Sequence, residues 1–314
     1  MIAQRRHRIG VLAAIAVGMS VSGQARINGA LGHALDDGVA AAALSFGLGL
    51  VLLSIGLAAS ARMRAQLSAV RVALRTRTLA PWQCLGGLCG AFYVACQGIT
   101  IALIGVAVFT VAVVGGQLLS SLWVDRAGIG PGAPSPVTPN RIFGAVLALV
   151  AVAIASSGRF DAGWSAIGWA ILPAVAGVGL AWQQAVNGRV AAASGPMMAT
   201  WVNFVVGTAA LLAILVGKGL VADFPDDLPT EPWLYVGGAL GVAHIAAAAV
   251  VVRWIGVLLL GLGAIAGQLL GAVALDLLAP TGAGLSATVL AGSVLTLVAV
   301  AIASVSRRPI GTPK

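Results

Sequence analysis

Ten runs of roughly 20 apolar residues follow one another along the chain with only short breaks between them. Each run is long enough to cross the hydrocarbon core of a bilayer, about 30 Å, as a helix. Transmembrane barrels alternate apolar and polar positions, whereas these runs are continuously apolar. With 60% hydrophobic and 9% charged residues, the chain is predicted to be an all-α integral membrane protein with ten transmembrane helices. The predicted spans are 9–31, 39–60, 82–101, 103–124, 142–158, 165–188, 197–217, 233–252, 254–277 and 285–305.

The net charge of +9 is explained by orientation rather than by a nucleic-acid partner. When the N-terminus is placed in the cytoplasm, 15 of the 18 Lys and Arg residues lie on that side and only Arg26, Arg159 and Lys218 lie outside. This distribution follows the positive-inside rule. Both termini are therefore predicted to be cytoplasmic.

The second half of the sequence repeats the landmarks of the first half in the same order. Because each copy contains five predicted spans, an odd number, the second copy is inverted relative to the first. The predicted repeats are 1–160 and 161–314, an arrangement typical of secondary transporters. The first apolar run is the counterpart of the sixth, so we expect it to belong to the fold rather than to be a signal peptide. The matched pairs are Gln24-x(3)-Asn28-Gly29 with Gln183-x(3)-Asn187-Gly188, Phe46 and Gly49 with Phe204 and Gly207, Gly86-Gly87-x-x-Gly90 with Gly237-Gly238-x-x-Gly241, Gly105-Val106 with Gly256-Val257, and Gly116-Gln117-Leu118-Leu119 with Gly267-Gln268-Leu269-Leu270.

This plan resembles the drug/metabolite transporter (DMT) superfamily, and its motifs look like the YdcZ-type family in its fused two-repeat form. The resemblance covers essentially the whole chain. It implies a multi-pass protein of the bacterial inner membrane that transports a solute, with a central cavity lined by spans 1, 3 and 4 and their counterparts 6, 8 and 9. It leaves the substrate undefined.

Four amides are the first candidates for substrate binding, because Gln24 and Asn28 share one helix face and Gln183 and Asn187 repeat the spacing. Amides offer both donors and acceptors, so together they could hold a polar or zwitterionic solute. The alternative is that they hydrogen-bond between helices, which is common in membrane proteins.

Gln117 and Gln268, next to glycines on the fourth span of each copy, carry the same two alternatives. Asp125 and Asp276 follow about two turns later. They could cap or pair near the loops, Asp125 with Arg126 or Arg141, or they could act as a gate or a proton site.

Tyr93 and His244 occupy matched positions in mid-span, and Trp182 precedes Gln183. All three are candidate substrate contacts, and His244 could titrate near physiological pH. Each could equally be a packing residue. Arg26 could extend its charged end to the outer surface or capture an anionic group of the substrate, and it belongs with Asp125 and Asp276 as a candidate for gating or coupling.

No enzyme motif, cofactor site or metal-ligand cluster occurs in the sequence, and the three cysteines of one predicted span are predicted to pack. The sequence therefore predicts a secondary active transporter, most simply an exporter, that works by alternating access. A lipid or lipid-linked carrier flippase and a non-transporting membrane subunit are the alternatives. The expected partners are a small-molecule substrate and membrane lipid, with a homodimer as one assembly compatible with the sequence.

Overall fold

The computed structural model describes residues 2–156, 166–217, 219, 228–278 and 287–305, and helices make up most of this part of the chain. The predicted repeat boundary at 160/161, the charged residues Arg159 and Lys218, and the side chain of Asp276 lie outside the described residues. The helices are α1 Ile2–Ala34, α2 Gly38–Ala59, α3 Ala61–Arg75, α4 Gly86–Arg126, α5 Pro139–Ser156, α6 Ala166–Trp169, α7 Ile171–Ser194, α8 Pro196–Gly217, α9 Gly237–Leu278 and α10 Ala287–Ser304. Short 3₁₀ helices at Pro81–Cys84 and Pro232–Tyr235 precede α4 and α9.

The two longest helices, α4 and α9, each contain two of the predicted spans. Their 41 and 42 residues would extend about 60 Å if straight, twice the hydrocarbon thickness. In α9 the helix breaks at Gly256, whose φ of 79° is open to glycine without strain. In α4 the rings of Tyr93 and Phe109 lie 5.7 Å apart, although 16 residues of straight helix would separate them by about 24 Å. Both segments therefore double back, as the division into two spans predicted.

The break at Gly256 divides α9 into a first arm, residues 237–255, and a second arm, residues 257–278. Helix α1 packs against both arms through glycines. A Cβ added to Gly18 would lie 2.0 Å from the Ala264 carbonyl oxygen, and one added to Gly267 would lie 2.0 Å from the Ile15 carbonyl oxygen. Backbones can approach this closely only where no side chain intervenes. The glycines at these positions thus form a close helix contact.

The same crossing occurs between α7 and α4. A Cβ on Gly116 would lie 2.0 Å from the Ala174 carbonyl oxygen, and one on Gly177 would lie 2.0 Å from the Val113 carbonyl oxygen. The opening helix of each repeat therefore packs into the doubled-back helix of the other repeat, and the two repeats interlock.

The contacts of α9 near its break give the relative directions of α1 and α7. A Cβ on Gly10, near the start of α1, would lie 2.6 Å from Ile255, and a Cβ on Gly188, near the end of α7, would lie 2.6 Å from Val252. Neighbouring residues of α9 thus meet the start of α1 and the end of α7. The two equivalent helices run in opposite directions, as the odd number of spans per copy predicted.

Equivalent helices also meet each other between the repeats. The rings of Phe46 on α2 and Phe204 on α8 lie 5.1 Å apart, and each ring fills the space beside a glycine of the other helix, Gly49 or Gly207. Helices α5 and α10 pack together in the same manner, with Gly144 against Ala303. These two contacts join the repeats along their shared interface.

Helix α3 is the element that the sequence did not predict. It follows α2 after a single residue, Ser60, whose hydroxyl accepts a hydrogen bond from the Met63 N–H. Its apolar face includes Met63, Val70 and Ala73, which are buried, while all of its arginines are exposed. The hydropathy of this segment is too low for a membrane span, so the pattern of apolar runs does not indicate a helix here. Among the described helices, four are long and apolar enough to cross a membrane on their own, namely Arg5–Ala34, Gly38–Ala59, Pro196–Gly217 and Pro232–Leu275.

Candidate substrate site

The amides predicted on α7 form a buried group that we call the second amide cluster, made of Gln183, Asn187 and Asn203. The Gln183 Nε2 and Asn187 Nδ2 atoms both donate to Asn203 Oδ1, at 3.0 and 2.9 Å. Asn203 lies on α8 and is 0% exposed, and the other two side chains are also buried. One acceptor therefore holds two helix-borne amides in place.

The second amide cluster rests against the first turns of α4. A Cβ on Gly86 would lie 2.6 Å from Asn187 Oδ1, and one on Gly90 would lie 3.4 Å from Gln183 Nε2. The Gln-x(3)-Asn spacing on α7 thus matches the Gly-x(3)-Gly spacing in the first turns of α4, which run antiparallel to α7. Any side chain at Gly86 would displace the amide.

An equivalent group in the first repeat, the first amide cluster, consists of Gln24 and Asn28 on α1 with Ser45 on α2. It rests against α9, where a Cβ on Gly237 would lie 2.2 Å from Asn28 Oδ1 and one on Gly241 would lie 2.7 Å from Gln24 Nε2. Gln24 and Asn28 are half-buried, whereas Ser45 is 2% exposed. The contact is the same, but Ser45 stands where the other repeat has Asn203.

Both clusters hold hydrogen-bonding atoms without a protein partner. In the described part of the chain, Asn28 Oδ1, Ser45 Oγ, Gln183 Oε1 and Asn203 Nδ2 are buried and make no hydrogen bond. Such atoms are few in native proteins and call for an explanation. They present acceptors and donors close to the contact between the repeats.

Gln117 and Gln268 lie away from these clusters. The Gln117 side chain is buried beside Gly261 of α9, where a Cβ would be 3.6 Å from its Nε2. Gln268 is half-buried, and its carbonyl oxygen accepts a hydrogen bond of 2.6 Å from Ser22 Oγ on α1. The described contacts join neither glutamine to an amide cluster.

Asp125 joins three elements at one end of the molecule. Its carboxylate forms a buried ion pair with Arg141 of α5. It also accepts hydrogen bonds from the Val257 and Leu258 N–H groups, at 2.8 and 3.1 Å, directly after the break at Gly256. The carboxylate thus caps the N-terminus of the second arm of α9, where free N–H groups favour a negative charge. We call this arrangement the Asp125 clasp.

Arg26 and Arg189 have corresponding roles in the two repeats. Arg26 on α1 donates a hydrogen bond of 3.1 Å to the Leu275 carbonyl, in the last turn of α9. Arg189 on α7 donates to the Ile129 and Gly128 carbonyls after α4, at 2.9 and 2.6 Å. Helix C-termini leave carbonyls unsatisfied and attract cations. Arg26 therefore has a structural partner that the sequence did not suggest.

The aromatic candidates are divided between packing and the clusters. Trp182 stacks on Trp82 at 5.9 Å, and Trp82 is half-exposed on the surface of the helix bundle. Tyr93 packs on Phe109. Tyr93 lies three residues after Gly90, and His244 lies three residues after Gly241. Both are therefore on the helix arms that contact the amide clusters.

Sequence reasoning missed Asn203, Ser45 and Arg189 as site residues. Asn203 and Ser45 were visible only as a mismatch beside the paired phenylalanines, and nothing in the sequence placed them next to the amides. The counterpart of Arg26 in the second repeat is Ala185 or Val186, and Arg189 lies four or three residues later, so a position-by-position comparison of the repeats does not pair the two arginines. Within the described ranges, no three His, Cys, Asp or Glu side chains are grouped as a metal site.

Comparisons with known proteins agree with this architecture. A family model described as "Putative inner membrane exporter, YdcZ" matches the chain in two segments, residues 9–154 and 168–302. A solved chain described only as "Crystal structure of protein" is 20% identical, with a TM-score of 0.66 over 95% of this chain and 96% of that chain. At that identity the likeness shows the fold alone. No curated protein matches the chain.

Proposed function

Because the chain belongs to the YdcZ family of the drug/metabolite transporter superfamily, we propose that it exports a small polar solute by alternating access. The observation that carries this proposal is the set of four buried hydrogen-bonding atoms in the two amide clusters that have no partner within the part of the chain that the structure describes. Leaving each such atom unpaired costs roughly 1–3 kcal/mol. A bound solute would relieve that cost.

The chemistry of the clusters favours an uncharged or zwitterionic solute. Their six side chains are amides and one hydroxyl, and none is ionised. A solute with both a donor and an acceptor could bind Gln183 Oε1 and Asn203 Nδ2, or Asn28 Oδ1 and Ser45 Oγ. An anion would find no counter-charge within either cluster.

The location of the clusters supports alternating access. Each cluster lies where the opening helix of one repeat meets the first arm of the doubled-back helix of the other. A rocking motion between repeats would open and close these two contacts in turn. The Asp125 clasp would have to open when the end of the molecule at which it lies is exposed to water.

Transport assays can test this proposal directly. Proteoliposomes loaded with a mixture of small polar metabolites should lose specific components under an imposed proton or solute gradient, as measured by mass spectrometry. Gln24→Leu and Gln183→Leu should each reduce that efflux severalfold, while Asn140→Leu, which replaces an amide outside the clusters, should not. Efflux equal to that of protein-free liposomes would contradict export, and full efflux by both leucine variants would remove the clusters from the site.

The orientation is a separate proposal, namely that both termini are cytoplasmic. It is supported by the 15 to 3 distribution of basic residues. Reporter fusions truncated after residue 70 and after residue 225 should report the cytoplasm and the outside, respectively. The same side for both fusions would contradict the proposed topology.

A further inference from the structure

The strongest feature outside the amide clusters is a groove beside α3, which we call the α3 groove. It has a volume of 690 Å³. One wall is formed by Ala65, Ala69, Val72 and Thr76 of α3, and the other by Pro131 and Arg189. It is open to the surface and lined mainly by small and apolar side chains, together with the hydroxyl groups of Ser68, Thr76 and Thr78 and the guanidinium group of Arg189.

The arginines of α3 flank this groove rather than line it: Arg64 and Arg71 lie four residues before and three residues after Ser68, which is part of the lining. Arg64, Arg71 and Arg75 are separated by seven and four residues, so they form one stripe along the helix. All three are exposed, as are Arg62 and Arg77. Since no acidic residue occurs between Asp37 and Asp125, no carboxylate from this stretch of chain neutralises the stripe.

The position of α3 relative to the bilayer follows from its neighbours. A single residue, Ser60, separates its start from the end of α2, which is a membrane-spanning helix. Its buried face packs against the end of α7 and the start of α8, with Val70 and Ala73 beside Val190 and Met198. The helix is therefore held at the level of the lipid headgroups, where basic amphipathic helices meet anionic lipid.

The equivalent connection in the second repeat has the opposite charge. Residues 60–80 contain five arginines and no acidic residue, whereas residues 218–231 contain one lysine and four acidic residues. The arginine stripe is thus confined to one face of the membrane. Charge of this sign on this face complements anionic headgroups.

We propose that the α3 groove binds the headgroup of an anionic phospholipid from the leaflet next to α3. The arginine stripe and Arg189 would bind the phosphate, because planar guanidinium groups suit phosphate oxygens. The alanines and Val72 would contact the glycerol and the first part of the acyl chains. This site is independent of the substrate site, so it holds whether or not the protein exports a polar solute.

Lipid-dependent thermal unfolding of the full chain tests the proposal. The protein is reconstituted in nanodiscs of phosphatidylcholine alone or of phosphatidylcholine mixed with phosphatidylglycerol. We expect the anionic lipid to raise the melting temperature by about 3 °C or more. The combined variant Arg64→Gln, Arg71→Gln, Arg75→Gln should lose this shift.

A matched variant separates a specific groove from general charge. Arg5→Gln, Arg6→Gln, Arg8→Gln removes the same charge from the exposed start of α1 and should keep the full shift. Ala69→Phe fills the groove without changing the charge and should abolish it. This variant also covers the case in which the triple arginine variant fails to insert.

The remaining outcomes overturn the proposal. One is that phosphatidylglycerol raises the melting temperature of Ala69→Phe as much as that of the wild type. Another is that the triple arginine variants of α3 and of α1 lose this shift to the same extent. A third is a wild type that melts at the same temperature in both lipids. Glycerol phosphate added to phosphatidylcholine nanodiscs should give no shift, and a shift as large as that from phosphatidylglycerol would assign the groove to a soluble phosphate compound instead.

Discussion

The two amide clusters share one plan but satisfy it differently. In the second cluster Asn203 accepts hydrogen bonds from both amides, and all three side chains are buried. In the first cluster Ser45 takes the equivalent place and makes no hydrogen bond among the described residues, and Gln24 and Asn28 are half-buried. The same Gln-x(3)-Asn sequence therefore lies in two environments.

This difference separates two uses of the same side chains. The amides of the second cluster are fixed by a shared acceptor, so part of their role is to hold α7 against α4 and α8. Those of the first cluster have no equivalent acceptor among the residues that the structure describes, and they are more exposed than their counterparts. If export requires one contact to open more readily than the other, the first cluster is the one less constrained by hydrogen bonds.

The close helix contacts made through glycines, α1 with α9 and α7 with α4, should be equally important for stability in the two repeats. Gly116→Ala and Gly267→Ala each place a Cβ 2.0 Å from a carbonyl oxygen of the facing helix. We expect each to lower the free energy of unfolding by about 4 kcal/mol or more, the largest effect of any substitution proposed for this chain. Thermal unfolding in nanodiscs measures it.

Gly47→Ala is the control for these variants, because nothing lies within 4 Å of the added Cβ. It should be neutral or slightly stabilising, since alanine is the better helix former. Equal melting temperatures for Gly116→Ala, Gly267→Ala and Gly47→Ala would contradict the close crossings.

The Asp125 clasp should give the next largest loss. Asp125→Ala leaves Arg141 buried without its partner and removes the cap on Val257 and Leu258, so we expect a loss of about 3 kcal/mol. Asp125→Ala combined with Arg141→Ala should recover part of it. By the repeat, Asp276 corresponds to Asp125, and Gly105 of α4 corresponds to Gly256 of α9. Asp276→Ala should therefore be similarly destabilising if the Asp276 carboxylate caps the segment of α4 after Gly105.

Asn203 of the second cluster should contribute more to stability than Ser45, its counterpart in the first cluster. Asn203→Ala leaves two buried amide donors without an acceptor, so a loss of about 2 kcal/mol is expected. Ser45→Ala removes a buried hydroxyl that has no partner among the described residues, so the melting temperature should stay the same or rise. Equal melting temperatures for the two variants would contradict the different roles assigned to Asn203 and Ser45.

Much of the fold could be predicted from the sequence because a membrane helix can be recognised from the length and hydropathy of its apolar run. The spans, the duplication and the doubling back near Gly256 all depend on local patterns. Helix α3 could not be predicted by the same criterion, because its stability comes from packing its apolar face on α7 and α8. Contacts of that kind join residues more than 100 positions apart.

The candidate site was only partly predictable. The Gln-x(3)-Asn and Gly-x(3)-Gly motifs were both recognised, but the sequence could not show that each is the other's contact across the repeats. The partner of Arg26 could not be predicted for a similar reason. It is the backbone carbonyl of Leu275, and since every residue has such a carbonyl, the sequence does not indicate which one the arginine contacts. The role of Asp125 was anticipated more closely, because pairing with Arg141 was among the alternatives.

Apart from the near-neutral variants Gly47→Ala and Ser45→Ala, the smallest expected effects come from Arg26 and Arg189, which compare the two repeats at their helix ends. Arg26→Gln and Arg189→Gln each remove a cation from a helix C-terminus or the loop after it. Since both side chains are partly exposed, each loss should be about 1 kcal/mol. Solute efflux should stay close to that of the wild type in both variants. A variant of Arg26 that melts normally but no longer exports would instead identify Arg26 as a group that captures an anionic part of the substrate.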